Sequence, residues 1–214
     1  MRLSVFSALL VLPFLAIPAP AFALIDIFPK EIVVRDKATT VQVINNGDRP
    51  EYVSITLSRL LNPGAQVSSE RLEPIALMSK PVLYAFPFRI TLAPGQSKTI
   101  TLKPLAAVDR EQVYRLDVKP VISLNETEHR ATSGNVVVSL SFSGLVRQLP
   151  DVEKVQLSVT CKGSGALLTA SGNVRYLVEG VKVDGSNVDP FNVYPGEPKL
   201  LSGKSISIPG QPSC

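Results

Sequence analysis

Asn135-Val-Val-Val-Ser-Leu-Ser-Phe-Ser-Gly-Leu-Val-Arg-Gln-Leu-Pro150 decides the reading of this chain. Side chains of an extended strand alternate between its faces, so Val136, Val138, Leu140 and Phe142 share one face and Val137, Ser139, Ser141 and Ser143 the other. Such a strand ordinarily has one face in its own core. Here it is followed by Arg147 and Pro150 and then by a change of composition. A last strand before a linker is a place where a sheet edge can be offered to another chain.

The rest of the chain repeats this pattern. Ile25 and Ile27, then Ile32 to Val34, flank Pro29 and predict an edge strand with a break. Val41 and Val43, the turn Asn45-Asn46-Gly47-Asp48, and Val53, Ile55 and Leu57 predict a hairpin. Asn62-Pro63-Gly64 opens a loop running to about Pro81. Tyr84, Phe86, Phe88 and Ile90 are expected on one face of a strand that Pro87 confines to an edge or bulge. Ala93-Pro94-Gly95-Gln96 reads as a turn. Strands at Ser97–Leu102 and at Tyr114, Leu116 and Val118 follow, and 124–132 is a polar connection. Seven or so strands in this span predict an immunoglobulin-like sandwich.

A second series begins after Leu149-Pro150-Asp151. Val155, Leu157 and Val159 alternate, Lys162 to Gly165 turn, and Val174, Tyr176 and Val178 follow. Val181 and Val183 precede an Asp184-Gly185 turn, and Ile206 and Ile208 end the series. The expected organisation is residues 24–150 as one β domain and 151–214 as a smaller one. A domain of that size is marginal on burial alone.

The first residues set the expected compartment. Arg2 is the only charge before Asp26, Leu3 to Ile17 is apolar, and Ala21-Phe22-Ala23 is a small-x-small cleavage site. Residues 1–23 therefore read as a secretory signal peptide. Removing 23 of the 214 residues leaves 191 and lowers the formal charge from +4 to +3. No other stretch reaches the roughly 20 apolar residues of a membrane span, so no membrane insertion is expected. In an exported chain, Cys161 and Cys214 are expected to form a disulfide.

Composition narrows the function classes. Trp is absent, Pro numbers 18 and Gly 13, and no Lys/Arg cluster carries interleaved aromatics, so nucleic acid is not an expected partner. The single His, His129, sits in the polar run Asn-Glu-Thr-Glu-His-Arg. There is no Gly-x-Ser-x-Gly and no Cys/His cluster, and Gly163-Ser-Gly165 is a turn rather than a dinucleotide loop. Neither an enzyme nor a cofactor or metal site is expected.

Four stretches carry a resemblance: Ile55–Gly64 (ITLSRLLNPG), Leu92–Leu102 (LAPGQSKTITL), Gln112–Pro120 (QVYRLDVKP), and Val136–Pro150, ending LVRQLP. A fifth, Ser171–Val183, is weaker. Together they resemble the periplasmic chaperones of chaperone–usher pilus assembly, nearest to the alternate, class 5 colonisation-factor branch. The resemblance implies two immunoglobulin-like β-sandwich domains set as an L or boomerang. It implies a lent strand that completes a fimbrial subunit, with Val136, Val138, Leu140 and Phe142 filling the subunit's groove. An outer-membrane usher would be the second partner, and an empty lent edge would be capped or self-associated.

Such chaperones hold the subunit's C-terminal carboxylate with basic residues. Here the expected arginine position falls near Lys30-Glu31, with Glu31 in ungapped register, and the expected lysine position falls near Leu145. Neither is basic in that register. Arg147, of the same strand parity as Leu145, is the first substitute, Lys30 the second and Arg115 the third. The alternative function is an immunoglobulin-like fimbrial structural subunit or adhesin, which receives a strand. A β-sandwich hydrolase comes third, with no catalytic constellation to support it.

Overall fold

Short runs of Ile, Val, Leu and Thr between prolines and turn residues give strands of two to ten residues, because branched side chains fill a pleated, half-buried surface. The structure, a computed structural model, describes residues 25–121, 141–163 and 165–214. Val136, Val138 and Leu140 lie outside the described residues, as do His129 and the proposed signal segment.

The first ten strands are β1 (Ile25–Phe28), β2 (Glu31–Val34), β3 (Thr39–Asn45), β4 (Glu51–Leu60), β5 (Leu72–Pro74), β6 (Leu83–Phe86), β7 (Arg89–Leu92), β8 (Ser97–Pro104), β9 (Gln112–Pro120) and β10 (Phe142–Gln148). They make two sheets. One has the order β1-β3-β8-β6; the other has β2-β10-β9-β4-β5, with β7 also on β4. Between them lies one apolar core, in which Ile25, Ile27, Val43, Leu83, Leu92, Ile100, Leu102, Leu116 and Val146 are fully buried. Each such side chain contributes roughly 1.5–3 kcal/mol relative to exposure.

Two prolines divide strands between the sheets. Pro29 separates β1 from β2, and Pro87 separates β6 from β7; both follow cis peptide bonds. Proline offers no N–H to a ladder, so pairing stops there and resumes in the opposite sheet. This corrects the single-face reading of Tyr84 to Ile90. Leu83 and Ala85 point inward, whereas Phe86 and Phe88 are more than half exposed.

The expected β3–β4 hairpin is also corrected. β3 pairs with β1 and β8, and β4 with β5, β7 and β9, so the Asn45–Pro50 connection crosses between sheets. Asn45 fixes this crossing: its buried amide donates to the carbonyls of Arg49, Leu92 and Ala93 and its Oδ1 accepts from Gly47 N. The loop after Gly64 contains β5, which adds an edge to β4.

The second series holds β11 (Leu157–Cys161), β12 (Gly165–Ala170), β13 (Tyr176–Val178), β14 (Lys182–Val183), β15 (Ser186–Asn187), β16 (Phe191–Val193), β17 (Lys199–Ser202) and β18 (Ile206–Ser207). Of these, β12, β16 and β17 carry no alternation signal that singles them out in the sequence. Small sheets β11-β12-β17, β13-β16 and β15-β14-β18 enclose a second core containing Leu168, Val178, Val181, Val193 and Ile206. Cys161 and Cys214 are disulfide-bonded, and Cys214 also exchanges two backbone hydrogen bonds with Ile206. Cys214 is thereby tied to both β11 and β18.

Candidate functional site

β10 is held on both sides. It runs antiparallel to β9, with Phe142 opposite Val118 and Gln148 opposite Gln112, and parallel to β2, with Leu145 opposite Glu31 and Gln148 opposite Val34. The strand therefore continues through Arg147 to Gln148, beyond the Phe142 end that the apolar alternation predicts. Gly144, Val146 and Gln148 face the first core, and a side chain at 144 would press on Ile32. Phe142, the one expected donor residue among the described residues, is on this inward face. It packs partly against the core, with the Lys30 ammonium 5.8 Å from its ring centre.

Gln148 is fully buried and satisfied. Its Oε1 accepts from Tyr114 Oη at 3.1 Å and its Nε2 donates to the carbonyls of Ala106 and Val82. Burial pushes the Tyr114 phenol well above its ordinary range, against a smaller opposing pull from Arg59.

The outward face of the same strands meets the second β unit. Leu145 and Arg147 of β10, Val113 and Arg115 of β9, and Leu60 of β4 point that way. Tyr194, just past β16, is buried against Leu60 and Val113, with Leu145 alongside. The Asn62-Pro63-Gly64 turn lies against the same ring, since a Cβ on Gly64 would stand 3.4 Å from Tyr194 Cδ2.

Beside Tyr194 four charges converge. Arg147 Nε donates to Glu111 Oε1 at 2.6 Å, and its Nη1 donates to Glu31 Oε1 at 3.3 Å. Arg175, in the second unit, sends its backbone N–H to Glu111 Oε2 at 2.6 Å, its Nη2 to the same Glu31 Oε1 at 2.8 Å and its Nη1 to Tyr194 Oη at 3.4 Å. The Glu111 side chain has no exposed surface, whereas that of Glu31 is 44% exposed. Burial opposes the Arg147 charge, but the Glu111 hydrogen bond and the two nearby carboxylates outweigh it and hold the guanidinium above its ordinary value.

Asn173 completes the junction. Its amide donates to the carbonyls of Asp109 and Val152 and its Oδ1 accepts from Lys154 N. Gly172 permits this approach, since a Cβ there would collide with the Lys154 carbonyl.

The three expected anchor residues do not form one group. Arg147 is in the junction cluster. Arg115 is engaged with Glu70 through Nε and Nη2, and that hydrogen bond, more than it is offset by burial, raises its pKa. Lys30 is paired with Asp26. Sequence reasoning missed Glu111, Arg175 and Tyr194, because each lies in a different strand neighbourhood and only the folded chain brings them together. Among the described residues no group of three or more His, Cys, Asp or Glu is placed to hold a metal, and no helix is long and apolar enough to cross a membrane.

No family model matches the chain. Among curated proteins it is 25% identical to a CFA/I fimbrial subunit of Escherichia coli over 154 residues, covering 70% of this chain and 63% of that protein. It is also 25% identical to a CS1 fimbrial subunit of Escherichia coli over 202 residues, 87% of this chain and 84% of that one. Among solved structures it superposes on the class 5 fimbriae chaperone CfaA with a TM-score of 0.68 at 21% identity, covering 88% of this chain and 93% of that chain. The fold is that of this two-unit, immunoglobulin-like β protein.

Proposed function

We propose that this protein is a periplasmic chaperone of class 5 fimbrial assembly, which captures a fimbrial subunit through a lent strand and passes it to an outer-membrane usher. The observation that carries the reading is the placement of β10. In sequence it follows the alternating segment Val136–Leu140; in the fold it is fastened between β9 and β2 and ends at the junction where the second unit begins. We assign 24–150 to the first domain, 151–214 to the second, and 1–23 to a cleaved signal peptide that directs the chain to the periplasm.

In this reading Val136, Val138 and Leu140 enter the groove of the fimbrial subunit, while main-chain hydrogen bonds supply affinity that does not depend on side-chain identity. Phe142, on the same alternating face, packs partly against the chaperone's own core. Arg147, supported by Glu111 and joined by Arg175 across the junction, is the anchor for the subunit's C-terminal carboxylate. Arg115 and Lys30 become secondary, since each already holds a local carboxylate. Self-association of the unloaded protein would use the same Val136–Leu140 segment, since β10 itself is paired on both sides.

The experiment is co-expression with neighbouring operon products and purification through a tag, alongside Leu140→Asp. A small β-rich protein retained by the wild type and lost by the folded variant is the expected result. Retention by the variant, or recovery of no partner with the wild type, overturns the reading. A fimbrial structural subunit is the second reading, prompted by the names of the two curated relatives, each called a fimbrial subunit. Polymerisation of the purified protein would be its signature.

A further inference from the structure

We propose that Glu31 is an internal stand-in for the ligand carboxylate, occupying the anchor until a subunit's C-terminal carboxylate displaces it. This rests on the chaperone reading above and deepens it. A single oxygen, Glu31 Oε1, receives N–H groups from two guanidiniums belonging to different β units. That is the position a mobile carboxylate from outside would take. Yet Glu31 is the most exposed member of the cluster, at 44%, against 12% for Arg147 and 19% for Arg175.

The rest of the cluster keeps its shape without Glu31. Glu111 holds Arg147 through Nε and Arg175 through its backbone N–H, and Tyr194 Oη holds a second Arg175 nitrogen. Arg147 Nη1 and Arg175 Nη2 would then remain directed at one point. With Glu31 in place, two arginines face two glutamates and the charge is balanced. With Glu31 turned to solvent, one positive charge remains, matching a single carboxylate. Glu31 thus sets the threshold for binding: it keeps the empty anchor satisfied and imposes competition on every incoming acid.

The test is a titration of the mature protein, with N-acetylglycylglycine as the free acid and as its amide, read by the arginine Nε–H signals in NMR. Glu31→Gln should bind the free acid about tenfold more tightly than the wild type, since each charge-assisted hydrogen bond to the probe no longer competes with an internal one. The amide should gain nothing, and adding Arg175→Gln should abolish the gain. Glu31→Ala should behave as Glu31→Gln. Equal affinity in wild type and variants, or a gain shared by the amide, overturns the proposal. Because the probe is a dipeptide, this outcome is independent of whether a fimbrial partner co-purifies in the Leu140→Asp experiment.

Discussion

The carboxylate of Glu111 is bound at 2.6 Å to the backbone N–H of Arg175, a bond that spans the two β units from a side chain with no exposed surface. Its other oxygen accepts from Arg147 at the same distance. Removing it leaves the nearly buried Arg147 guanidinium with the longer 3.3 Å bond to the more exposed Glu31. Glu111→Ala should cost about 3 kcal/mol, read as a lowered urea midpoint. Glu111→Gln, which keeps one acceptor, should cost less.

Alkaline stability should depend on Tyr114. Its folded pKa is raised, so the neutral phenol's contribution is complete below the ordinary value of about 10 and is lost as pH climbs above it. A spectrophotometric titration should therefore show the Tyr114 phenol ionising well above the ordinary tyrosine range, a late step that Tyr114→Phe removes. Tyr114→Phe should flatten stability above pH ~10 while costing about 1–2 kcal/mol at neutral pH, because Gln148 Oε1 loses its donor. The arginines add no slope there. Arg147 and Arg115 are held above their ordinary value, so their contribution persists until pH exceeds about 12.

The disulfide closes a long segment of the smaller unit, with a sequence separation of 53. Cys161→Ser should remove about 2–4 kcal/mol, and reductant should lower the wild-type melting temperature toward the variant's. Melting scans with and without reductant test this; a variant that melts with the oxidised wild type would refute it.

Gly172 leaves no room for a methyl group against Lys154. Gly172→Ala should cost about 1–3 kcal/mol through forced backbone movement at the junction. Gly185→Ala, where a Cβ meets nothing but φ is +83°, is the comparison that separates crowding from backbone strain. Denaturant unfolding of both variants provides the measurement.

How much of this is legible in the sequence follows from the range of each signal. Alternation at Leu116 and Val118, or at Leu157, is local and correctly indicates strands. Sheet membership is not local. Nothing in the spacing of Val43 and Val53 says that Asn45 sends the chain across the core, nor that Pro87 moves it to the other sheet. The aromatics Phe86 and Phe88 mislead because hydrophobicity suggests an inward face, while the inward places go to Leu83 and Ala85. Arg147 is visible through its parity with Leu145. Glu111, Arg175 and Tyr194 are not, since they meet only where the two units touch.

The double pairing of β10 has a mechanical consequence. A pull along its axis strains the rungs to β9 and β2 together, whereas a pull across the sheet would open them one after another. At its end, Gln148 is pinned from Tyr114, Val82 and Ala106, so tension passes into both sheets rather than drawing the strand out. Whatever is fastened upstream of Phe142 is therefore tethered to the whole sandwich, and detaching it by force along the strand would break its own attachment first.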